Sequence, residues 1–302
     1  MAYTAEISRA NPSCFLFLID QSGSMQDVVD PANIQPMAHP LVVDGRNYTH
    51  TAQGRTKAQG VCEAINRLLY DIVLRCSKET GIYDYFEIGV VGYGGAGVRP
   101  AFGGVLASRD LVTISEIGNN PIRIEQRKKK EDDGAGGIFE RTVKFPVWLD
   151  PTASGGTPMC EALARARSIL SGWLPQHPNC FPPVVIHISD GESTDGEPLE
   201  AMRSLTSLSS NDGNVLLFNL HISGNPNAKP ISFPDSPVGL PDQYARTMFE
   251  GASMLTSLMR TIAQQHGFNL SDGAKGFVLN ADMVLVVQAL DIGTRAANMA
   301  DR

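Results

Sequence analysis

The sequence predicts a doubly wound α/β fold, in which a mostly parallel sheet is covered by helices on both faces. Short apolar runs recur along the chain at residues 14–19, 86–93, 183–189, 214–223 and 275–280. These runs lack strict alternation of polar and apolar residues, which is typical of strands buried on both faces. Helical patterns lie between them, and this alternation of strand and helix predicts a parallel sheet.

The predicted helices follow the strands in chain order. Residues 57–77 and 158–174 place their apolar side chains on one stripe, and two further helical patterns cover residues 198–210 and 252–267. The last apolar pattern, residues 280–290, begins with an Asn that resembles a helix cap. We expect this last helix to pack on the sheet, with a docking surface for another protein as the alternative.

Three stretches of sequence interrupt the alternation of predicted strands and helices. Residues 28–55 separate the first strand from its helix, and an Asp-Gly pair within LVVDGRNYT predicts a hairpin there. Residues 94–148 contain a charged, glycine-rich loop and predict an antiparallel excursion, again resembling a β-hairpin. Residues 224–242 hold five prolines and predict a surface loop.

Length and composition indicate an ordinary globular protein. The chain has 302 residues, of which 42% are hydrophobic and 19% are charged, so it is long enough to bury a large core. No internal repeat is evident, and we expect one domain over residues 1–302. Its core covers about residues 12–225, and a C-terminal strand and helices follow over 243–299.

The charge distribution argues against nucleic-acid binding. The formal net charge is −7, and the basic cluster at residues 127–130 is followed at once by three acidic residues. Neutralising a phosphate backbone requires a concentrated basic face. The five cysteines show no CxxC spacing, and the N-terminus lacks an apolar segment of signal-peptide length. We therefore expect a cytoplasmic protein without a membrane span.

The first predicted strand ends in a loop of oxygen-bearing side chains. The stretch FLFLIDQSGSMQD, residues 15–27, presents Asp20, Ser22 and Ser24 at alternate positions. In an open α/β sheet, ligands collect at the carboxyl ends of the strands. This loop therefore predicts one wall of a cation site.

Two later loops offer the other walls. Thr157 stands in SGGTPM, immediately before a predicted helix, and Asp190 stands in SDGESTDG, directly after the strand at 183–189. The combined set has two carboxylates and three hydroxyls without His or Cys, so it does not suit zinc. Calcium usually recruits more carboxylates, whereas magnesium keeps several waters and suits a sparse set. We expect magnesium, with manganese or calcium as alternatives.

These three motifs together resemble the von Willebrand factor A domain. Asp-x-Ser-x-Ser after a first strand, a Thr in a Gly-Gly-Thr loop and the Asp of a later Ser-Asp-Gly match its metal-ion-dependent adhesion site. The resemblance implies that Ser22, Ser24 and Thr157 are ligands, directly or through water. It implies that Asp20 and Asp190 bind the metal directly or through water, depending on state. The segments GTPMCEAL and HISDGESTDGEP are most similar in sequence to bacterial cytoplasmic members of this family, including those encoded near tellurite-resistance genes.

The resemblance implies a binding module, an adaptor or scaffold, and no enzymatic activity. A metal held mainly by neutral hydroxyls retains positive charge, and its open position would accept an Asp or Glu carboxylate from a partner protein. Asp27, Glu192 and Asp195 would lie on the rim that contacts the partner. The bacterial members suggest a kinase or phosphatase as partner and a role in stress or tellurite-resistance signalling.

Two other functions stay open. A magnesium-dependent phosphohydrolase would use Asp20 as nucleophile, but such chemistry needs an acid where Ser22 stands and a lysine near the phosphate. The sequence ties no lysine to the two later loops and has no GxxxxGK[ST] phosphate loop. The same module also serves as a subunit of ATPase-linked chaperone assemblies.

Overall fold

The protein is described by a computed structural model that covers residues 3–28, 34–43, 46–52, 55–132, 138–223, 229–295 and 298–299. In chain order, the strands are β1 (Glu6–Ile7), β2 (Ser13–Gln21), β3 (Ile34–Val43), β4 (Arg46–Ala52), β5 (Ser77–Lys78), β6 (Gly81–Ile82), β7 (Phe86–Gly94), β8 (Gly97–Pro100), β9 (Val112–Thr113), β10 (Arg123–Asp132), β11 (Ile138–Val147), β12 (Val184–Ser189), β13 (Ser209–Ser210), β14 (Gly213–Asn214), β15 (Leu216–Ile222), β16 (Ile231–Ser232), β17 (Phe277–Ala281) and β18 (Asn298–Met299). The helices are α1 (Lys57–Cys76), α2 (Ile114–Asn119), α3 (Met159–Trp173), α4 (Leu199–Thr206), α5 (Gln243–Gly251), α6 (Ser257–Gln265) and α7 (Met283–Arg295).

Eight of these strands form one mixed sheet. Its order is β16-β17-β15-β12-β2-β7-β8, and β9 pairs with the same edge of β7 as β8 does. The five inner strands, from β17 to β7, run parallel to their neighbours. The outer strands β16, β8 and β9 pair antiparallel with them. The predicted doubly wound, mostly parallel sheet is confirmed.

The central strand β2 is buried on both faces because helices cover both sides of the sheet. Phe15 and Phe17 belong to the core shared with α1, α6 and α7, whereas Leu16 and Leu18 belong to the core shared with α3, α4 and α5. Burying one such side chain contributes roughly 1.5–3 kcal/mol. The unbroken apolar run that predicted this strand therefore reflects two separate cores meeting at one sheet.

The strand order reverses beside β2. The chain continues from β2 to β7 on one side, and β12 later joins β2 on its other side. At such a switch point the connections leave to opposite faces, so a crevice opens at the carboxyl ends of the two strands. The loops after β2 and β12 thus border the same crevice.

The two longest helices, α1 and α3, agree with their sequence patterns. The pattern over 57–77 is α1, and the pattern over 158–174 is α3. The pattern over 198–210 is wrong in extent, because α4 ends at Thr206 and the backbone of Ser209 then pairs with Asn214 in a small hairpin.

The pattern over 252–267 is wrong in extent, because α6 begins at Ser257. The structure also has α5 before it, over Gln243–Gly251, which the sequence analysis missed. The chain between the two helices is extended, because the amide of Ser253 donates to the carbonyl of Leu217 at 2.9 Å. Thr256 then caps α6 by accepting a hydrogen bond from the amide of Met259.

The last helix packs on the sheet, as the pattern over 280–290 predicted, and its side chains join the core that contains β2. The predicted cap is wrong. Asn280 has a left-handed backbone with φ of 57°, and the carboxylate of Asp282 caps the helix by accepting from the Leu285 amide at 2.8 Å. Among the helices that the structure describes, none is long and apolar enough to cross a membrane.

The three interruptions contain more regular structure than predicted. Within residues 28–55, β3 and β4 pair antiparallel, and the Asp-Gly pair expected at their turn lies outside the described residues. Within residues 94–148, β10 and β11 form the expected antiparallel excursion, but β8, β9 and α2 are also present. The loop predicted over 224–242 is wrong at β16, which pairs with β17, and residues 224–228 lie outside the described part.

Candidate metal centre

The ends of β2 and β12 place two candidate carboxylates side by side. Ile19 pairs with Ile188 in the parallel ladder, so Asp20 and Asp190 leave neighbouring strands at the same edge. The Asp20 residue is fully buried, and the side chain of Asp190 has no exposed surface. Two buried carboxylates repel each other and lose hydration, so this arrangement favours a nearby cation.

The loop after β2 links these two carboxylates through its hydroxyls. The amide of Ser22 donates to Asp20 Oδ1 at 2.8 Å, which holds the start of the loop. The Ser22 and Ser24 hydroxyl oxygens lie 3.1 Å apart, and the Ser24 hydroxyl donates to Asp190 Oδ1 at 2.7 Å. Four of the five residues that the sequence proposed as ligands therefore form one contiguous cluster.

The fifth residue, Thr157, is buried in the loop that packs against this cluster. The amide of Gly23 donates to the carbonyl of Gly155 at 2.9 Å, which joins the two loops through their backbones. Gly155 has a φ of 69°, and a Cβ there would collide with the Cα of Gly95, so only glycine permits this approach. Within the described residues the Thr157 hydroxyl has no hydrogen-bond partner, which leaves its oxygen available to a ligand.

Lys57 completes the cluster, and the sequence analysis missed it. Its ammonium lies 2.7 Å from Asp190 Oδ2 and 3.3 Å from Asp27 Oδ2. The expectation that no lysine is tied to the later loops is wrong, because α1 carries Lys57 to a carboxylate 133 positions away. One local signal existed: Lys57 is the first residue of α1, where a positive charge opposes the helix dipole.

A second missed residue supports Asp20 from the side of β12. The hydroxyl of Ser189 donates to Asp20 Oδ2 at 2.8 Å, so both oxygens of this carboxylate accept hydrogen bonds. Burial raises the pKa of Asp20 above its ordinary value, and the hydrogen bonds from Ser22 and Ser189 offset part of that rise. The nearby charge of Asp190 raises the same pKa, because two like charges repel.

The residues predicted for the rim differ in their surroundings. Asp27 is half exposed beside Lys57, and Glu192 is exposed. Asp195 is also exposed, but its carboxylate accepts the amides of Cys160 at 3.0 Å and Glu161 at 2.9 Å. It thereby caps α3, whose own N-cap is a proline without a side-chain acceptor. Burial by itself would raise the pKa of Asp195, but these hydrogen bonds outweigh it and lower that pKa.

The donor set fits a small, hard divalent cation. Among the described residues, no three His, Cys, Asp or Glu side chains cluster so that they could hold a metal, so any ion here depends on hydroxyl oxygens. The five candidate ligands are all oxygen donors, as magnesium and manganese prefer. The two carboxylates and the Lys57 ammonium together carry a formal charge of −1, which favours a divalent cation between them.

Comparison with known proteins gives little beyond this geometry. No protein-family model matches the chain, and no curated protein matches it. One similar solved structure is the manganese-loaded TRAP protein of Plasmodium vivax, with 13% identity and a TM-score of 0.33. Another is the ArnB paralog VWA2 of Sulfolobus acidocaldarius, with 15% identity and a TM-score of 0.29.

These likenesses are also partial in length. Each alignment covers 70% of this chain, but the aligned part spans 58% of the Plasmodium protein and 35% of the Sulfolobus protein. Overlaps at this level support neither a fold nor a function. The α/β architecture rests on the sheet of this chain itself, and the site rests on its own side chains.

Proposed function

We propose that this chain is a von Willebrand factor A-type module that binds a divalent cation, magnesium first, and through it a carboxylate of a partner protein. The observation that carries the proposal is the contact between the Ser24 hydroxyl and the buried carboxylate of Asp190 at the switch point of the sheet. That contact joins two loops which the sequence motif alone could only place on the same edge.

The five candidate ligands play two different roles in such a site. Asp20 and Asp190 supply the negative charge that attracts a cation, whereas Ser22, Ser24 and Thr157 supply neutral oxygens. A bound cation provides a Lewis-acidic position that attracts an external carboxylate. Because few of the donors are charged, the loaded site keeps net positive charge, and a partner's Asp or Glu is the complementary group.

The rim restricts which partners fit. Asp27 and Glu192 are exposed and place negative charge beside the site. A partner whose carboxylate stands alone among neutral or basic side chains avoids repulsion from them, whereas a run of acidic residues does not. The partner is therefore proposed to present one isolated Asp or Glu.

We place this module in the cytoplasm as an adaptor or scaffold that has no catalytic activity of its own. The support is the sequence of the segments GTPMCEAL and HISDGESTDGEP, which is most similar to that of bacterial von Willebrand factor A proteins encoded near tellurite-resistance genes. A kinase or phosphatase partner in stress signalling is the corresponding proposal for its pathway.

Calorimetry with Mg²⁺ and electron paramagnetic resonance with Mn²⁺ test the proposed site directly. We expect saturable binding to the wild type, loss of binding in Asp20→Asn and in the double variant Ser22→Ala, Ser24→Ala, and unchanged binding in Ser207→Ala. Ser207 is an exposed serine at the end of α4 and serves as the matched control. Adding a glutamate-containing peptide should then alter the Mn²⁺ spectrum, and binding that survives the double variant would contradict the site.

One observation favours a second candidate, the magnesium-dependent phosphohydrolase. Lys57 supplies, beside Asp190, the cationic group that such chemistry requires and that the sequence did not reveal. Ser22 still stands where the acid is needed. Turnover of p-nitrophenyl phosphate by the wild type that disappears in Asp20→Asn would replace the binding proposal with this one, and we expect no turnover in either protein.

A further inference from the structure

We propose that Lys57 is a built-in cation of this site: its ammonium neutralises Asp190 in the metal-free protein and competes with a divalent cation for that carboxylate. The inference deepens the proposed function, since it concerns the same site. It also makes a claim about the protein without metal, which can be tested whether or not the wild type binds an ion.

The surroundings of Lys57 show which carboxylate it serves. Its side chain is 4% exposed and that of Asp190 is 0% exposed, whereas Asp27 is 52% exposed. Water screens an ion pair with an exposed partner, so the contact with Asp27 contributes little. The buried contact of 2.7 Å with Asp190 is therefore the main interaction of this ammonium.

The start of α1 fixes the position of this ammonium. Thr56 and Gln59 form a reciprocal capping box, and the backbone amide of Lys57 donates to the carbonyl of Asp27 at 2.9 Å. A buried ammonium at the positive end of a helix is unfavourable both by desolvation and by the dipole. Its retention there requires the compensating negative charge of the site, which a fixed backbone holds within reach.

Both oxygens of Asp190 are already engaged by other side chains. Oδ1 accepts the hydroxyl of Ser24, and Oδ2 accepts the ammonium of Lys57. A cation that uses Asp190 must therefore share this carboxylate with the ammonium or displace it. Displacement leaves Lys57 beside Asp27, its other acidic neighbour.

The formal charges give the direction of the effect. Asp20, Asp190 and Lys57 sum to −1, and a divalent cation brings this sum to +1. Without the ammonium the same site would change from −2 to 0. Lys57 thus weakens attraction for the cation, and it leaves the loaded site more positive toward an incoming carboxylate.

The test compares wild type, Lys57→Met, Lys57→Arg and the double variant Lys57→Met, Asp190→Asn, with Mn²⁺ as the probe. Lys275→Met is the control, because Lys275 is a partly buried lysine whose ammonium contacts the carbonyls of Phe249 and Glu250, away from the site. Each protein is melted in EDTA and in saturating Mn²⁺, and its Mn²⁺ affinity is measured by electron paramagnetic resonance.

Three results are expected. Lys57→Met melts several degrees below wild type in EDTA and regains most of that loss in Mn²⁺, which it binds at least about tenfold more tightly. Lys57→Arg keeps the wild-type affinity within about threefold, because the positive charge remains. Lys275→Met leaves the Mn²⁺ affinity unchanged, whatever it does to the melting temperature.

The outcomes separate this inference from the proposed function. If Lys57→Met binds Mn²⁺ no more tightly than wild type, the inference is overturned, even where wild type binds well. If only Lys57→Met binds, the inference holds and metal-dependent function of the wild type falls. Should Lys57→Met fail to fold in EDTA, the double variant decides: recovery of folding supports a charge pair, and no recovery overturns it.

Discussion

Carboxylates meet cations at the carboxyl edge of the sheet and, in quite different surroundings, on the outer surface of α6 and α7. At the edge, Lys57 and Asp190 lie almost fully out of solvent. On the outer surface, Asp291 contacts His266 at 2.7 Å and Arg295, with side chains 23% to 40% exposed. The groups are chemically similar. Removing one partner of the buried pair, however, leaves the other charge without either water or a counter-ion, which does not happen at the exposed pair.

The difference in burial assigns the two regions different roles. Exposed ion pairs are worth roughly 0–1 kcal/mol, because water and salt screen them. A buried pair is costly to form and costly to break, and here it lies at the sheet edge beside the three hydroxyls of the proposed cation site. The ion pairs of Asp291 instead join the surfaces of two packed helices, α6 and α7.

The largest expected effect comes from removing one charge of the buried pair. Asp190→Asn in EDTA should lower the free energy of unfolding by about 3 kcal/mol, because it leaves the Lys57 ammonium buried without its carboxylate. Urea unfolding followed by circular dichroism measures this. Asp150→Asn is the control, because Asp150 pairs with Arg123 on the exposed surface. This substitution should cost less than about 1 kcal/mol. Equal losses in both variants would show that burial does not set the strength of these ion pairs.

An intermediate effect is expected at Asp195, an exposed carboxylate that works through a helix end. Asp195→Ala should cost about 1 kcal/mol of unfolding free energy, because two amides at the start of α3 lose their acceptor. Asp195→Asn retains an acceptor and should recover part of that loss. A cost near zero for the alanine variant would mean that water replaces the cap.

A smaller effect is expected at the outer cluster. Arg295→Ala should reduce the free energy of unfolding by less than about 1 kcal/mol, since the guanidinium is 40% exposed. The difference from wild type should shrink further between 0.05 M and about 1 M salt, where exposed charges are screened. A loss that is insensitive to salt would indicate packing of the arginine stem.

The smallest effect is a pH dependence at Asp291. Burial alone raises its pKa, but hydrogen bonds from Arg295 and His266 outweigh this and hold the pKa below its ordinary value. A depressed pKa adds stability above the unfolded-state pKa, and this is lost as pH falls through the folded one. The stability difference between wild type and Asp291→Asn should therefore be present at pH 7, start to fall below about pH 4 and be lost as pH falls through the lower folded-state pKa of Asp291. A difference that persists at low pH would contradict this origin.

Much of the fold was predictable because its signals are local. The apolar run of β2 and the stripes of α1 and α3 each depend on neighbours within a few turns of chain. The errors occurred where distant contacts override local pattern. The helix predicted over 252–267 begins only at Ser257, because the backbone of Ser253 bonds to Leu217 instead.

The sequence alone placed Asp20, Ser22, Ser24 and Asp190 in two loops at one edge of a parallel sheet, because parallel strands send their carboxyl ends to the same side. Thr157 was added to this set by the motif and not by a preceding strand of the sheet. The contacts between these loops came from the packing: Ser24 reaches Asp190, Ser189 supports Asp20, and Lys57 contacts Asp190. These contacts depend on how α1 and β12 pack against β2, and apart from the unfavourable positive charge at the start of α1, the local sequence carries no signal of pairings across more than a hundred residues.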